Sequence, residues 1–323
     1  MRFVALTTVV VASLCASLVW GQGAATYPNK TVKLVVPVTT GGPSDLVARV
    51  LADKLSTSLK QPFIVENKAG ASQVVGSDAV AKSPPDGYTL LQAAANMAIN
   101  PVLMKNLPYD TLKDFEPVML IATSPYGLVV PAGSPYKTLA ELITAARAKP
   151  GDLTLGSSGQ GSRGHLGMTL LEKRAEFRTT QVSYRGPALI MNDLMGNQIT
   201  MQMGTVFFVA PFVKSGKVRA LGVTSAQRLA QLPDVPTIAE QGFPGYEVNS
   251  WWAIVAPAGV PGAIAKQMHA ALVQTMATPQ LRERLEQLGM TVIASSPEDL
   301  ARTVQNEMKL WGPIAAEIKR SAN

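Results

Sequence analysis

Cysteine is nearly absent from this 323-residue chain: the only one, Cys15, lies inside an uncharged N-terminal run that begins at Phe3. A chain that loses this segment carries no thiol and no disulfide, so its fold must rest on its core. Histidine is almost as scarce. His165 and His269 stand far apart, without neighbouring cysteines or carboxylates in ligand spacing, which excludes a histidine-built metal site; no metal and no cofactor are expected. No run after the leader is long and apolar enough to cross a bilayer. Low-complexity tracts are missing too. The formal charge is +7, but Lys and Arg are scattered rather than clustered, which argues against a nucleic-acid surface.

The leader is informative by its pattern. Met1-Arg2 precedes the apolar run, and Gly21, Gly23, Ala24 and Ala25 follow before the first charged side chain of the remainder, Lys30. One positive charge, an apolar stretch and a small-residue exit predict a secretory signal peptide over residues 1–25 and a periplasmic mature protein. A membrane anchor fits less well, because Ser and Thr interrupt the run and it falls short of a ~20-residue span. Leu14 before Cys15 lacks the small side chain that a lipoprotein leader needs.

From residue 31 onward, short β-rich runs alternate with amphipathic helices. Val32 to Pro37, Phe63 to Glu66 and Tyr88 to Ala93 read as strands, with helices from Ser44 to Leu59 and from Gly76 to Ala81. A second block of the same kind runs from 126 to 250, and Trp251 to Ala256 is a further strand followed by three helices, the last from Pro297 to Ala322. Strands separated by helices predict parallel sheets covered on both faces. The expected fold class is therefore α/β: two doubly wound sheets joined by a two-strand hinge, with the C-terminal helices packed on the first lobe. Residues 26–123 plus 252–323 would form lobe 1 and residues 124–251 lobe 2. The chain would cross between them near Ala122 to Pro125 and near Val248 to Ser250, so that closure can bury a ligand.

Two glycine loops stand where such a ligand would sit, beyond the carboxyl ends of strands. In the first, Thr39-Thr40-Gly41-Gly42-Pro43-Ser44-Asp45, the glycines let a ligand approach the main chain and Asp45 can cap free N–H groups. In the second, Gly156 to Ser162, consecutive N–H donors and the hydroxyls of Ser157, Ser158 and Ser162 precede a helix, with Gly159, Gln160 and Gly161 at its centre. Tyr184-Arg185-Gly186-Pro187 repeats the device, and Arg185 and Arg163 can each supply a guanidinium fork. A pair of amide-lined loops, one per lobe, suits a carboxylate.

Gly159, Gly161 and Gly164 also spell the dinucleotide fingerprint, but the following strand ends Ser183-Tyr184-Arg185 without the acid that would hold a ribose. No Gly-x-Ser-x-Gly elbow occurs, and Ser158 and Ser162 lack a convincing base, so an exported enzyme acting on a carboxylate is the remote alternative. Trp251, Trp252, Phe207 and Phe208 read mainly as core, with one of them able to line the cleft.

Many short blocks, in one order, resemble the Bug-type extracytoplasmic receptors of tripartite tricarboxylate transporters. They include Gly41-Gly42-Pro43-Ser44-Asp45, Val65-Glu66-Asn67-Lys68-Ala69-Gly70-Ala71, Pro85-Asp86-Gly87-Tyr88-Thr89-Leu90, Ile99-Asn100-Pro101, His165-Leu166, Leu232-Pro233-Asp234-Val235-Pro236-Thr237 and Ala256-Pro257-Ala258-Gly259. The resemblance implies a two-lobed type II periplasmic-binding-protein fold that closes on di- or tricarboxylates, acidic amino acids or aromatic acids. It further implies a monomer that hands its ligand to membrane transporter subunits; a receptor feeding a sensor kinase is the alternative. The implied ligand positions are Thr39 to Asp45 and Ser158 to Ser162. Asn96-Met97 stand where the family commonly has Ser or Thr and His, and Thr205 replaces a frequent acid. Asn96 and Thr205 therefore join Arg185 and Gly186 as candidate ligand contacts. Thr205 and Met97 are expected to make the pocket less polar, and losing the acid disfavours an amino-acid ligand.

Overall fold

The structure is a computed structural model that describes residues 27–287 and 289–321; the expected leader lies outside the described residues. The first sheet begins with β1 (Val32–Val36), α1 (Pro43–Leu59), β2 (Phe63–Asn67), α2 (Val74–Ala81), β3 (Thr89–Ala94) and α3 (Asn96–Leu103). The long β4 (Phe115–Pro131) leads to α4 (Leu139–Ala148), β5 (Thr154–Ser157), α5 (Arg163–Ala175), β6 (Thr180–Ser183), α6 (Pro187–Met195), β7 (Met201–Thr205), α7 (Val206–Lys214) and β8 (Val218–Val223). The chain returns through β9 (Asn249–Pro257) and ends in α8 (Gly262–Met276), α9 (Pro279–Gln287), β10 (Thr291–Val292) and α10 (Pro297–Ser321).

Strand β1 shows why these runs are apolar throughout. Val32, Leu34 and Val36 pack with Val47, Leu51 and Leu55 of α1, whereas Val35 joins a separate cluster with Val74, Val80 and Leu91. Both faces are covered, as a parallel sheet requires. Strands β2 and β3 pair parallel to β1, and β9 joins β3 antiparallel.

Strand β4 belongs to both sheets. Its first half pairs antiparallel with β9 from Phe115↔Pro257 to Pro125↔Asn249, and β10 flanks it at Thr123 and Ala122. Its second half lies between β7 and β8, and β5 and β6 extend that sheet in parallel. The two-strand connection is thus a β4–β9 ladder, with Ser124 opposite Ser250 at the crossing.

The sequence pattern predicts no strand over the first half of β4 and no helix at α3. Both segments carry a proline: Pro117 lies at a register shift of the ladder and Pro101 sits inside the short α3. Helices α8 and α9 pack on the first sheet, where Met268, Leu272, Leu281 and Leu285 join its core. Helix α10 starts there as well, with Leu300 and Val304 in the cluster around Val35. From Trp311 onward, through Gly312-Pro313, it lies on the second sheet, where Trp311, Ala315 and Ile318 pack with Leu155, Leu166 and Met203.

Candidate functional site

A cavity of about 490 Å³ lies between the sheets, lined by the turns that follow β1, β2, β3, β5, β6 and β7. Six helices begin at its wall: α1 after Gly42, α2 after Gln73, α3 after Ala95, α5 after Ser162, α6 after Gly186 and α7 after Thr205. None of these starts has a side-chain cap among the described residues. Helix α4, which begins away from the cavity, has a complete capping box in which Thr138 and Glu141 satisfy each other's backbone. Helix α8, also away from the cavity, has no side-chain cap, so it is the convergence of such starts that matters here: each leaves N–H donors and the positive end of a helix dipole open to an anion. Pro43 and Pro187 open α1 and α6 with a preset φ at a position that needs no donor.

The two proline starts face each other. A Cβ on Gly42 would lie 4.0 Å from Pro187 Cγ, and one on Gly186 would lie 3.7 Å from Thr39 Oγ1. Among the described lining residues there is no Asp and no Glu, while two arginines, Arg163 and Arg185, are present. Apolar surface comes from Trp252, Phe208, Tyr126, Tyr184, Ile190 and Met203.

Of the residues expected from sequence, Thr39, Gly42, Asn96, Ser158, Ser162, Arg185, Gly186 and Thr205 line the cavity. Thr40, Gly41, Asp45, Gly159, Gln160 and Gly161 are not in its wall, and several of them instead hold the loops in shape. The N–H of Gly41, a residue with φ +83, donates to Asp45 Oδ2 at 3.0 Å. Asp45 is buried and also accepts from Arg49 Nε at 2.9 Å and from Asn67 Nδ2 at 2.9 Å. Burial pushes its carboxyl up, but the Arg49, Gly41 and Asn67 hydrogen bonds together hold it below the usual range. Asp45 is therefore an anchor of the first loop, not a helix cap.

In the second loop, the N–H of Gly161 donates to His165 Nδ1 at 3.1 Å, turned away from any ligand. A Cβ at Gly161 would run into Leu103 of α3. Burial pushes the His165 imidazole down to about 4, so the ring is neutral and carries its proton on Nε2 when Nδ1 accepts. Gln160 Nε2 reaches the Ile318 carbonyl at 3.4 Å, tying the loop to α10.

Arg163 splits its roles. Its backbone opens α5 at the cavity, while its side chain is buried, pairs with Glu307 of α10 and lies over the Trp311 ring at 4.7 Å. Burial draws this guanidinium down to about 10, which leaves it protonated at neutral pH. It is not the free fork the sequence suggested; Arg185, exposed at the cavity edge, is the available one. Met97 is another correction: it is buried in the core with Val35 and Leu91 and does not touch the cavity, so it does not set its polarity.

Ser44, inside the implied range Thr39 to Asp45, and two of the four aromatics line the wall, as do the Ala71 to Gln73 turn and Gln202, which sequence reasoning passed over. Ser44 Oγ accepts the Trp252 indole N–H at 2.9 Å, and its carbonyl accepts Gln92 Nε2 at 2.9 Å, so the hydroxyl proton is free to point elsewhere. Trp252 lines the cavity and Trp251 does not; likewise Phe208 and not Phe207. Ala71, Ser72 and Gln73 form a left-handed turn in the wall, with φ of 43°, 53° and 80°, whose Ser72 carbonyl accepts Asn100 Nδ2 at 2.9 Å. Gly70 marks a turn in the sequence, but nothing local marks its left-handed continuation through Gln73. Gln202 was legible as a polar residue between Met201 and Met203 in an apolar strand.

Two lobes with a cavity between them, on which helix starts converge, define the fold of the periplasmic binding proteins. Solved structures share this fold. The periplasmic binding protein BugD is 33% identical, with a TM-score of 0.84 over 90% of this chain and 98% of that one. Rhodopseudomonas palustris Rpa4515 with adipate is 34% identical, with a TM-score of 0.86 over 91% and 98%. MatC from the same organism, with bound malate, is 31% identical, with a TM-score of 0.84 over 90% and 100%. Residues 47–320 match the model of the tripartite tricarboxylate transporter family receptor, and the chain belongs to that family. Its members are solute-binding receptors of the periplasm.

Proposed function

We propose that this protein captures a small carboxylate in the cavity between its lobes and delivers it, in the periplasm, to the membrane subunits of a tripartite transporter. The observation that carries the reading is the convergence of six helix starts without side-chain caps on a cavity wall without acids among the described residues. Adipate and malate in the related structures support the same ligand class. Direct contacts would come from main-chain N–H groups at Ser44, Asn96, Arg163 and Gly164, the hydroxyls of Thr39, Ser44, Ser158, Ser162 and Thr205, and the Arg185 guanidinium. Each charge-assisted bond contributes roughly 1.5–3 kcal/mol. Several of them, less the ordering cost of closure, supply the ~8 kcal/mol of a micromolar receptor.

The apolar wall formed by Trp252, Phe208 and Tyr184 fits the hydrocarbon body of a longer dicarboxylate or an aromatic acid. An amino acid is disfavoured, since its ammonium finds no carboxylate there. Catalysis is disfavoured as well, because the histidine nearest Ser162 in sequence is neutral and already bonded to the Gly161 N–H. A thermal-shift panel of aliphatic acids, aromatic acids, sugars and cations tests the reading. Acids at a hundred times Kd should add about 2.7 kcal/mol of stability. Stabilisation by sugars or cations, with none by acids, refutes it.

A further inference from the structure

Gln202 is the one fully buried carboxamide in the cavity wall, and neither of its polar ends has a hydrogen-bond partner among the described residues. It is 3% exposed, sits on β7 opposite Gly156 and Val129, and has its Oε1 buried without a partner. Its side chain leans forward along the strand: a Cβ at Gly204 would lie 3.1 Å from Gln202 Nε2, and also 2.6 Å from Val209 Cγ1. Glycine at 204 thus leaves the space that the carboxamide occupies, and both residues line the cavity with Thr205 beyond them. Gln92, equally buried, is anchored by its bond to the Ser44 carbonyl. Gln73 and Asn96 also line the cavity, but they are half-buried and water can satisfy them.

A buried amide without a partner is costly, and the cost falls on whichever of its two ends stays unpaired. The rest of this wall is rich in donors, which a carboxylate alone would satisfy. A carboxylate has only acceptors to offer, so it can meet the Gln202 N–H but never its carbonyl. A 2-hydroxycarboxylate offers an acceptor oxygen and an O–H donor side by side, the complement of a carboxamide edge with its N–H donor and C=O acceptor. We infer that Gln202 is a specificity-determining residue that reads a hydroxyl beside the ligand carboxylate, so that 2-hydroxy acids are held in preference to their plain counterparts. The inference rests on the carboxylate reading of the cavity and adds to it the chemistry of the neighbouring carbon.

The test is calorimetric titration with two matched pairs, succinate against malate and glutarate against 2-hydroxyglutarate. It uses the wild-type protein, Gln202→Met and Gln202→Glu, with melting of the ligand-free variants as the check on folding. Wild type should bind each hydroxylated member about tenfold more tightly or better. Gln202→Met, of similar shape, should bring each ratio to within about twofold, because the hydroxylated member loses more than the plain acid does. Gln202→Glu removes the donor and adds a like charge, so it should weaken all four acids by about tenfold or more; this prediction stands even if the Met variant does not fold. Equal binding of the two members by wild type, or a ratio that survives in Gln202→Met, overturns the inference while leaving the carboxylate reading intact. Failure of all four acids to bind wild type, with other acids bound, also overturns the inference. Failure of every acid refutes the carboxylate reading itself.

Discussion

Replacing Glu307 by Gln removes the counter-charge of a guanidinium that has almost no access to water. Arg163 is 3% exposed, its ring partner Trp311 is 2% exposed, and the Glu307 carboxylate is the one acid paired with it among the described residues. In the folded variant, a neutral amide would face the guanidinium where a full negative charge stood. Leaving a buried charge uncompensated costs about 3–5 kcal/mol. At ~2–3 °C per kcal/mol this lowers the melting temperature by about 6–15 °C. Arg163→Met should cost a similar amount by orphaning Glu307 on the other side. The double variant, Arg163→Met with Glu307→Leu, removes both charges from an apolar setting and should recover most of the loss, since hydrophobic replacement of a buried pair is often neutral or better. Thermal melts of the four proteins, combined as a double-mutant cycle, give the coupling energy directly. A coupling below about 0.5 kcal/mol, with both single variants near wild type, would mean that the pair behaves as a solvated one, and the reasoning fails.

The two loop glycines should separate binding from folding. Gly42→Leu has an unstrained φ and open space on its own lobe, so it should melt like wild type yet bind at least about tenfold more weakly, because its side chain meets Pro187 across the cavity. Gly161→Leu, with φ +72 and Leu103 in the way, should lose stability by about 2 kcal/mol or more, measured by urea titration. For pH, His165 is held near 4 because burial disfavours its charged form, against 6.5 for an ordinary imidazole. Between those values the unfolded chain takes up a proton that the folded chain refuses. The His165 contribution is therefore complete above pH 6.5 and is lost as pH falls toward 4, a drop of about 3 kcal/mol. His165→Gln should flatten that slope; an unchanged slope in denaturant titrations across this window refutes the assignment.

Much of the fold was legible because its signals are local. The apolar run at Val32–Val36 and the glycine loop ahead of Pro43 each announce an element within a few residues. What escaped depends on partners far away in the chain. The first half of β4 is a strand because β9 lies beside it, despite Pro117. The same distinction divides the site. Sequence marked Gly41, Asp45 and Gly161 as loop residues, but whether an N–H points at a ligand or at Asp45 Oδ2 or His165 Nδ1 is decided by packing. Arg163 looked like a free cation because Glu307, far along the chain, gives no hint of meeting it.

Helix α10 has a mechanical consequence. Its early turns are embedded beside Val35 and its late turns beside Leu166, so any swing of one half of the molecule against the other must flex this rod as well as the paired ribbons. The rod is weakest where Gly312 meets Pro313, since the proline supplies no N–H to the carbonyl four residues back. Opening and shutting are thus resisted by a bendable spring fixed at both ends, whose free length begins one residue after the indole that carries the Arg163 charge.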